Sequence, residues 1–333
     1  MKLGAYTACL HDTPLPEALG ILRDLGLTSA EVNSGGFLPA PHLPIAEIEA
    51  SEDARAEYLG LFAEAGITLT ALNCNGNPLH PDPEVRDKHS EDVRQAIALA
   101  ALLGVRRVIT MSGLPAAEDG GRAPSWTVIP WDSVYLDARD YQWREVAVPF
   151  WKDVDARARD ADVKVCIEMH PHNLVFNPAT MERLVTEVNA THVGAEMDPS
   201  HLFWQGIDPL AALDRLGDLV YMAAAKDTRI NPEARVNGVL DDRFVRLPPG
   251  DPGAVPLGGR YTTTGWPEGS SWDFVAVGRG HDVAFWRDFL QALGRIDRDM
   301  AVNIEHEDRE LPQLEGLRHA AETLLEAART TSR

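Results

Sequence analysis

Eight short apolar runs, each followed by a stretch of helical periodicity, constrain this chain more than any other feature. They are Lys2 to Tyr6, Ser29 to Asn33, Thr68 to Asn73, Val105 to Met111, Val163 to Glu168, His192 to Met197, Leu219 to Ala225 and Met300 to Glu305. Runs of this length bounded by turn residues read as strands buried on both faces, as in a parallel sheet covered by helices. The helical segments are Leu15 to Leu25, Glu52 to Ala65, Ser90 to Leu103, Tyr141 to Ala161, Met181 to Val188, Asp208 to Leu216, Val283 to Leu293 and Leu314 to Ala328. Eight such units predict an α/β chain closed into a (β/α)8 TIM barrel, and 333 residues fit one domain, 1–333, with insertions.

Two stretches break the rhythm, about 113–142 after strand four and 230–280 after strand seven, both rich in Gly, Pro, Ser and Trp. Long loops in a compact domain are either functional or solvated insertions. Trp126, Trp131 and Trp143 in or beside the first, with Trp266 and Trp272 in the second, favour ordered lids, because exposed Trp is otherwise disfavoured.

Fifty-one acidic residues against 31 basic give a formal charge of -20, which repels phosphate backbones and anionic lipid and argues against nucleic-acid and membrane partners. Cys9, Cys74 and Cys166 have no CxxC spacing and are expected to be reduced packing residues. The N-terminal residues hold no long apolar core and no stretch of 18 apolar residues occurs, so a cytoplasmic enzyme is expected.

Four segments end in carboxylate or imidazole groups: Val165-Cys-Ile-Glu-Met-His170, Val193-Gly-Ala-Glu-Met-Asp198, Gly278-Arg-Gly-His-Asp282 and Val302-Asn-Ile-Glu-His-Glu-Asp308. Barrels build their active sites at the C-terminal ends of the strands, so Glu168, Asp198 and Glu305 are expected to meet at one mouth. Any one of them alone reads as an ordinary salt-bridged carboxylate. Together they require a cation, and an imidazole in the set favours Mn²⁺, Co²⁺ or Zn²⁺ over Mg²⁺.

The sequences IEMHPH, MDPSH and NIEHED resemble those of the xylose isomerase-like barrel superfamily, in particular the sugar phosphate isomerase/epimerase group. The resemblance implies one divalent ion, Mn²⁺ favoured, held by Glu168, Asp198 and Glu305. It also implies a His after strand seven, where relatives read His-x-Lys-Asp and this chain reads Ala224-Ala-Lys-Asp227. His281 in GRGHD is the candidate replacement, with substrate contact as the competing role; water or His201 are the other ways to complete the shell.

His170 lies two residues past Glu168 and points to the same side, where an imidazole can act as general base. His172, His201, Asn73, Trp131 and Asp227 are candidate substrate contacts, with Glu31 and Asn75 as weaker ones. Lys226 is a candidate catalytic residue or half of a buried ion pair. His306, Glu307 and Asp308 are placed to orient Glu305.

A divalent Lewis acid beside a His base suits removal of the proton next to the carbonyl of an oxo-sugar, giving an enediolate. β-Elimination of a glycoside and isomerisation or epimerisation use the same machinery. The missing strand-seven His, Glu-x-His after strand five and the long Trp-bearing insertions resemble the subgroup acting on 3-oxo-glycosides. That subgroup includes large subunits of C-glycoside deglycosidases, which work with a small β-rich partner. The expectation is therefore a lyase on a 3-oxo-glycoside, with a ketose isomerase or 3-epimerase as the alternative. A homo-oligomer is compatible with the sequence. A DNA-repair endonuclease needs further zinc ligands not found here, and a non-catalytic sugar binder would not need the three carboxylates.

Overall fold

The computed structural model describes residues 1–331. The apolar runs form strands β1 (Lys2–Tyr6), β2 (Ser29–Asn33), β3 (Thr68–Asn73), β4 (Arg107–Met111), β5 (Lys164–Glu168), β6 (Val193–Met197), β7 (Val220–Ala225) and β8 (Ala301–Ile304). They close into a barrel of order β1-β8-β7-β6-β5-β4-β3-β2, as the alternation of runs and helices predicts. The chain divides into two compact units, one of residues 1–32, 56–70 and 197 onward, the other of residues 33–55 and 71–196. Fully buried Leu19, Leu22, Trp286 and Phe289 fill the first unit, and Ile109, Trp151, Ile167 and Met181 the second.

Where a strand starts later than its apolar run, the first residues are closing the preceding helix. The Val105 N–H donates to the Ala100 carbonyl (2.8 Å) just after Gly104, which ends helix Pro83–Leu103 at φ 67. In the same way the Val163 N–H donates to the Ala158 carbonyl (2.9 Å). Helix starts are set by Asp caps: Asp82, Asp208 and Asp282 each accept a backbone N–H from the first turn that follows. The stretch expected as an irregular insertion at 113–142 contains helix Ser133–Asp140, capped by Asp132. A further short helix, Ile45–Ala50, has no counterpart among the expected segments. Segment Tyr141 to Ala161 begins as a π-helical turn, Tyr141–Ala147, before regular helix Val148–Asp160.

The second insertion departs from the barrel as an antiparallel pair in which Asp227–Ile230 runs against Trp272–Val275, with Asp227 opposite Val275 and Ile230 opposite Trp272. Trp266 and Trp272 pack edge to face (4.6 Å), and Trp272 stacks on Trp204 (4.8 Å). Trp126 donates its Nε1–H to the Asn173 carbonyl (3.0 Å), and Trp143 is buried. Trp131 is the exception, at 93% exposure. No helix among the described residues is long and apolar enough to cross a membrane.

Inside the barrel Gly4 leaves no room for a side chain, since a Cβ there would lie 2.1 Å from the Ser29 carbonyl oxygen and 2.5 Å from Asn303 Oδ1. Those two residues are themselves bonded, Ser29 Oγ to Asn303 Oδ1 (3.2 Å). Gly4→Ala is expected to destabilise the protein by about 1–3 kcal/mol through overpacking, read as a lower denaturation midpoint. An unchanged midpoint would show that the backbone can give way here.

A candidate metal centre at the strand ends

The registers explain how distant residues meet. β5 pairs with β6 so that Glu168 lies opposite Glu196, and Asp198 follows two residues later on the same side as Glu196. β8 pairs with β7 with Ile304 opposite Ala225, and the Glu305 N–H donates to the Ala225 carbonyl (3.1 Å). Glu168, Asp198 and Glu305 are all buried, and each offers an oxygen within 4.8 Å of the other two. A second set with the same spacing, Glu168, His170 and His201, shares Glu168 with the first. His201 is buried beside Asp198, its Nε2 3.3 Å from Asp198 Oδ2.

Neighbouring groups hold these ligands in place. Asn75 Nδ2–H donates to Glu168 Oε2 (2.6 Å). Asp198 accepts the Ser200 N–H (2.8 Å) on one oxygen and the Ser200 hydroxyl (2.9 Å) on the other. Lys226 Nζ reaches Glu305 Oε2 (3.3 Å) and Glu307 Oε1 (2.8 Å) and sits 4.6 Å over the Phe274 ring. Lys226 is thus half of a buried ion pair on a candidate ligand carboxylate.

The donor set fits a divalent cation. Carboxylates this close repel one another when ionised, and a dication offsets that repulsion better than the single ammonium of Lys226. Hard oxygens with an imidazole at the edge suit a first-row divalent ion. Glu31 and Glu196 make a further buried cluster with Glu305. The period-two spacing of Glu196 before Asp198 is the sequence signal for that carboxylate.

The other candidates divide. His170 is half-buried, and its Nδ1 bonds to the Pro171 carbonyl. A carbonyl only accepts, so Nδ1 donates here, and in the neutral ring Nε2 is the basic nitrogen. His172 adopts a left-handed backbone, φ 64, and meets Trp126 edge to face (4.9 Å).

Asn73 is buried and spends its Oδ1 on the Asn75 N–H (2.9 Å), so it shapes the turn after β3. Asp227 is also buried, and its oxygens accept from the Thr228, Gly278, Gly280 and His281 backbone and from His281 Nδ1. A carboxylate so engaged is a scaffold for the turn. His281 joins neither set of candidate ligands among the described residues: Asp227 holds it at 2.7 Å and Phe203 stacks on it at 3.7 Å. Ala224 is buried and provides no donor, and His201 is the imidazole that lies against a ligand carboxylate.

Of the flanking residues after β8, Asp308 binds Arg279 Nη1 (2.5 Å) and the Ala276 N–H (2.9 Å), anchoring the returning insertion. Burial lowers the His306 pKa below the ordinary imidazole value.

The family described as xylose isomerase-like TIM barrel matches residues 19–327. The chain belongs to that family. Among its relatives, the uncharacterized protein YfiH of Bacillus subtilis (strain 168) is 35% identical over 328 residues, 97% of this chain and 98% of YfiH. Solved structures share the xylose isomerase-like barrel at lower identity. The probable 3-DHS dehydratase AsbF of Bacillus anthracis has a TM-score of 0.64 at 15% identity, covering 98% of this chain and 99% of its own. The 3-keto-D-glucoside 4-epimerase YcjR of E. coli has a TM-score of 0.61 at 14% identity, covering 99% of both chains. The IOLI protein, solved with a binding zinc atom, has a TM-score of 0.61 at 18% identity, also covering 99% of both. At such identities the likeness is one of fold. Other structures with the same fold include a D-psicose 3-epimerase solved with D-fructose, and a protein from Mycobacterium smegmatis solved with magnesium.

Proposed function

We propose that this chain is a metal-dependent lyase that removes the proton next to the carbonyl of a 3-oxo-glycoside and expels the aglycone by β-elimination. The observation that carries this reading is the grouping of Glu168, Asp198 and Glu305 around one point, with His170 beside Glu168. Glu168, Asp198, Glu305 and His201 would hold the ion, Mn²⁺ favoured, which supplies Lewis acidity to the substrate carbonyl when bound. His170 Nε2, its lone pair fixed by the Nδ1 bond to Pro171, takes the C2 proton. Asn75 and Lys226 keep Glu168 and Glu305 aimed at the same point.

Support for an oxo-sugar substrate comes from the fold neighbour that epimerises a 3-keto-D-glucoside, and support for elimination from the neighbour described as a dehydratase. The alternative is epimerisation of a free ketose, favoured by the D-psicose 3-epimerases among the neighbours. A small β-rich second subunit belongs to the lyase reading; nucleic acid does not. Incubation with Mn²⁺ and a 3-oxo-glucoside is expected to release the aglycone, and incubation with fructose or tagatose to leave C3 unchanged. Inversion of the ketose without aglycone release would replace elimination by epimerisation.

A further inference from the structure

Asp227 and His281 form an acid–base dyad that the metal centre does not use. Asp227 Oδ2 accepts the N–H groups of Gly278, Gly280 and His281, each at 3.0 Å. Its Oδ1 accepts the Thr228 N–H (2.8 Å) and bonds to His281 Nδ1 (2.7 Å). A Cβ on Gly280 would lie 2.3 Å from the Thr228 carbonyl oxygen, so the turn can approach Asp227 this closely only with glycine there.

The imidazole is clamped by rings as well as by the carboxylate: Phe203 stacks on it (3.7 Å, 14°), and Phe285 leans against it at 5.0 Å. None of the hydrogen bonds among the described residues uses its Nε2, and the side chain keeps 29% exposure. A carboxylate on Nδ1 fixes the tautomer and stabilises the imidazolium, so such a ring gives and takes protons through Nε2.

The dyad is tied to two candidate metal ligands by its chain neighbours. Lys226, on one side of Asp227, bonds to Glu305. Thr228, on the other, donates its hydroxyl to the Ser200 carbonyl (2.8 Å), and Ser200 in turn bonds to Asp198. Phe203 belongs to the same short helix as His201, Ser200–Phe203.

We propose that His281, oriented by Asp227, is the proton donor to the departing aglycone, which deepens the elimination reading and rests on it. The step balances. His170 removes the C2 proton, and the C–H electron pair forms the enediolate with the C3 carbonyl. That pair then returns to make the C1–C2 double bond as the C1–O bond breaks with its electrons on the aglycone oxygen. The Nε2 proton of His281 passes to that oxygen, and exchange with water then returns the proton held by His170 to His281, so both rings regain their starting states.

The variant that tests this is His281→Asn, whose amide nitrogen can keep the bond to Asp227 while Nε2 is lost. Bound Mn²⁺ and thermal midpoint show that the site and fold persist, and His281→Gln provides a second variant with an amide near the Nε2 position. Two 3-oxo-glucosides are compared, one with a nitrophenolate aglycone that leaves without a proton and one with an alkoxide aglycone that cannot. The expected result for His281→Asn is a loss on the order of 10²-fold in kcat for the alkyl glucoside, and less than about 3-fold for the nitrophenyl one. Exchange of the C2 proton with deuterated water should persist. Equal losses on both substrates, or none on either, overturn the assignment while elimination stands. Absence of aglycone release by the unaltered protein from either substrate overturns the elimination reading, and the role of His281 with it.

Discussion

Glu168→Ala is expected to strip the protein of its divalent ion and of activity while leaving the barrel folded. Glu168 is the one residue common to both sets of candidate ligands, so its loss disturbs the oxygen-rich and the imidazole-containing sides together. Changes to groups that merely orient a ligand cost about 10–100-fold in metal affinity, and removal of a ligand should exceed that. Folding should suffer little. The Asn75 amide loses its acceptor, a cost of about 1–3 kcal/mol, while removal of one of several crowded carboxylates relieves repulsion. Metal content after exhaustive dialysis and far-UV circular dichroism read the two effects separately. A full equivalent of bound metal in Glu168→Ala would remove this residue from the centre.

His170→Ala is expected to have the opposite signature: metal retained, proton transfer lost. General bases contribute typically 10²–10⁴-fold, so exchange of the proton next to the carbonyl of a 3-oxo-glucoside should slow by about that factor in deuterated water. The ring is half-buried and its Nδ1 is bound to the neighbouring Pro171 carbonyl, so truncation opens no core cavity. Exchange at the unaltered rate would assign proton removal to one of the carboxylates, as in an epimerase.

Much of the fold and part of the site were legible in the sequence, and for the same reason. Strand period and strand ends are local signals, so Glu168, Asp198 and Glu305 could be placed at one end of the barrel although they are far apart in the chain. What was hidden depends on partners that local pattern does not reveal. His281 looked like a spare ligand because nothing in GRGHD shows that its Nδ1 belongs to Asp227, across the whole second insertion. Asp227 and Asn73 carry side chains suited to sugar hydroxyls, yet oxygens of both accept backbone amides of their own turns. Trp131 was grouped with the other insertion tryptophans by composition alone, and only packing separates it from Trp266 and Trp272. Helix Ser133–Asp140 was masked by the Gly- and Pro-rich residues preceding it, although Asp132 stands at its start as a legible cap.

The paired segments Asp227–Ile230 and Trp272–Val275 hold the two ends of the second insertion one ladder spacing apart. Everything between them behaves as a cassette plugged into a fixed socket. Closure entropy rises only with the logarithm of length, about 0.6 kcal/mol per doubling, so a change in the length of the segment 231–271 carries little closure cost of its own. Evolution can therefore exchange this insertion without retuning the strand ends on which it is mounted.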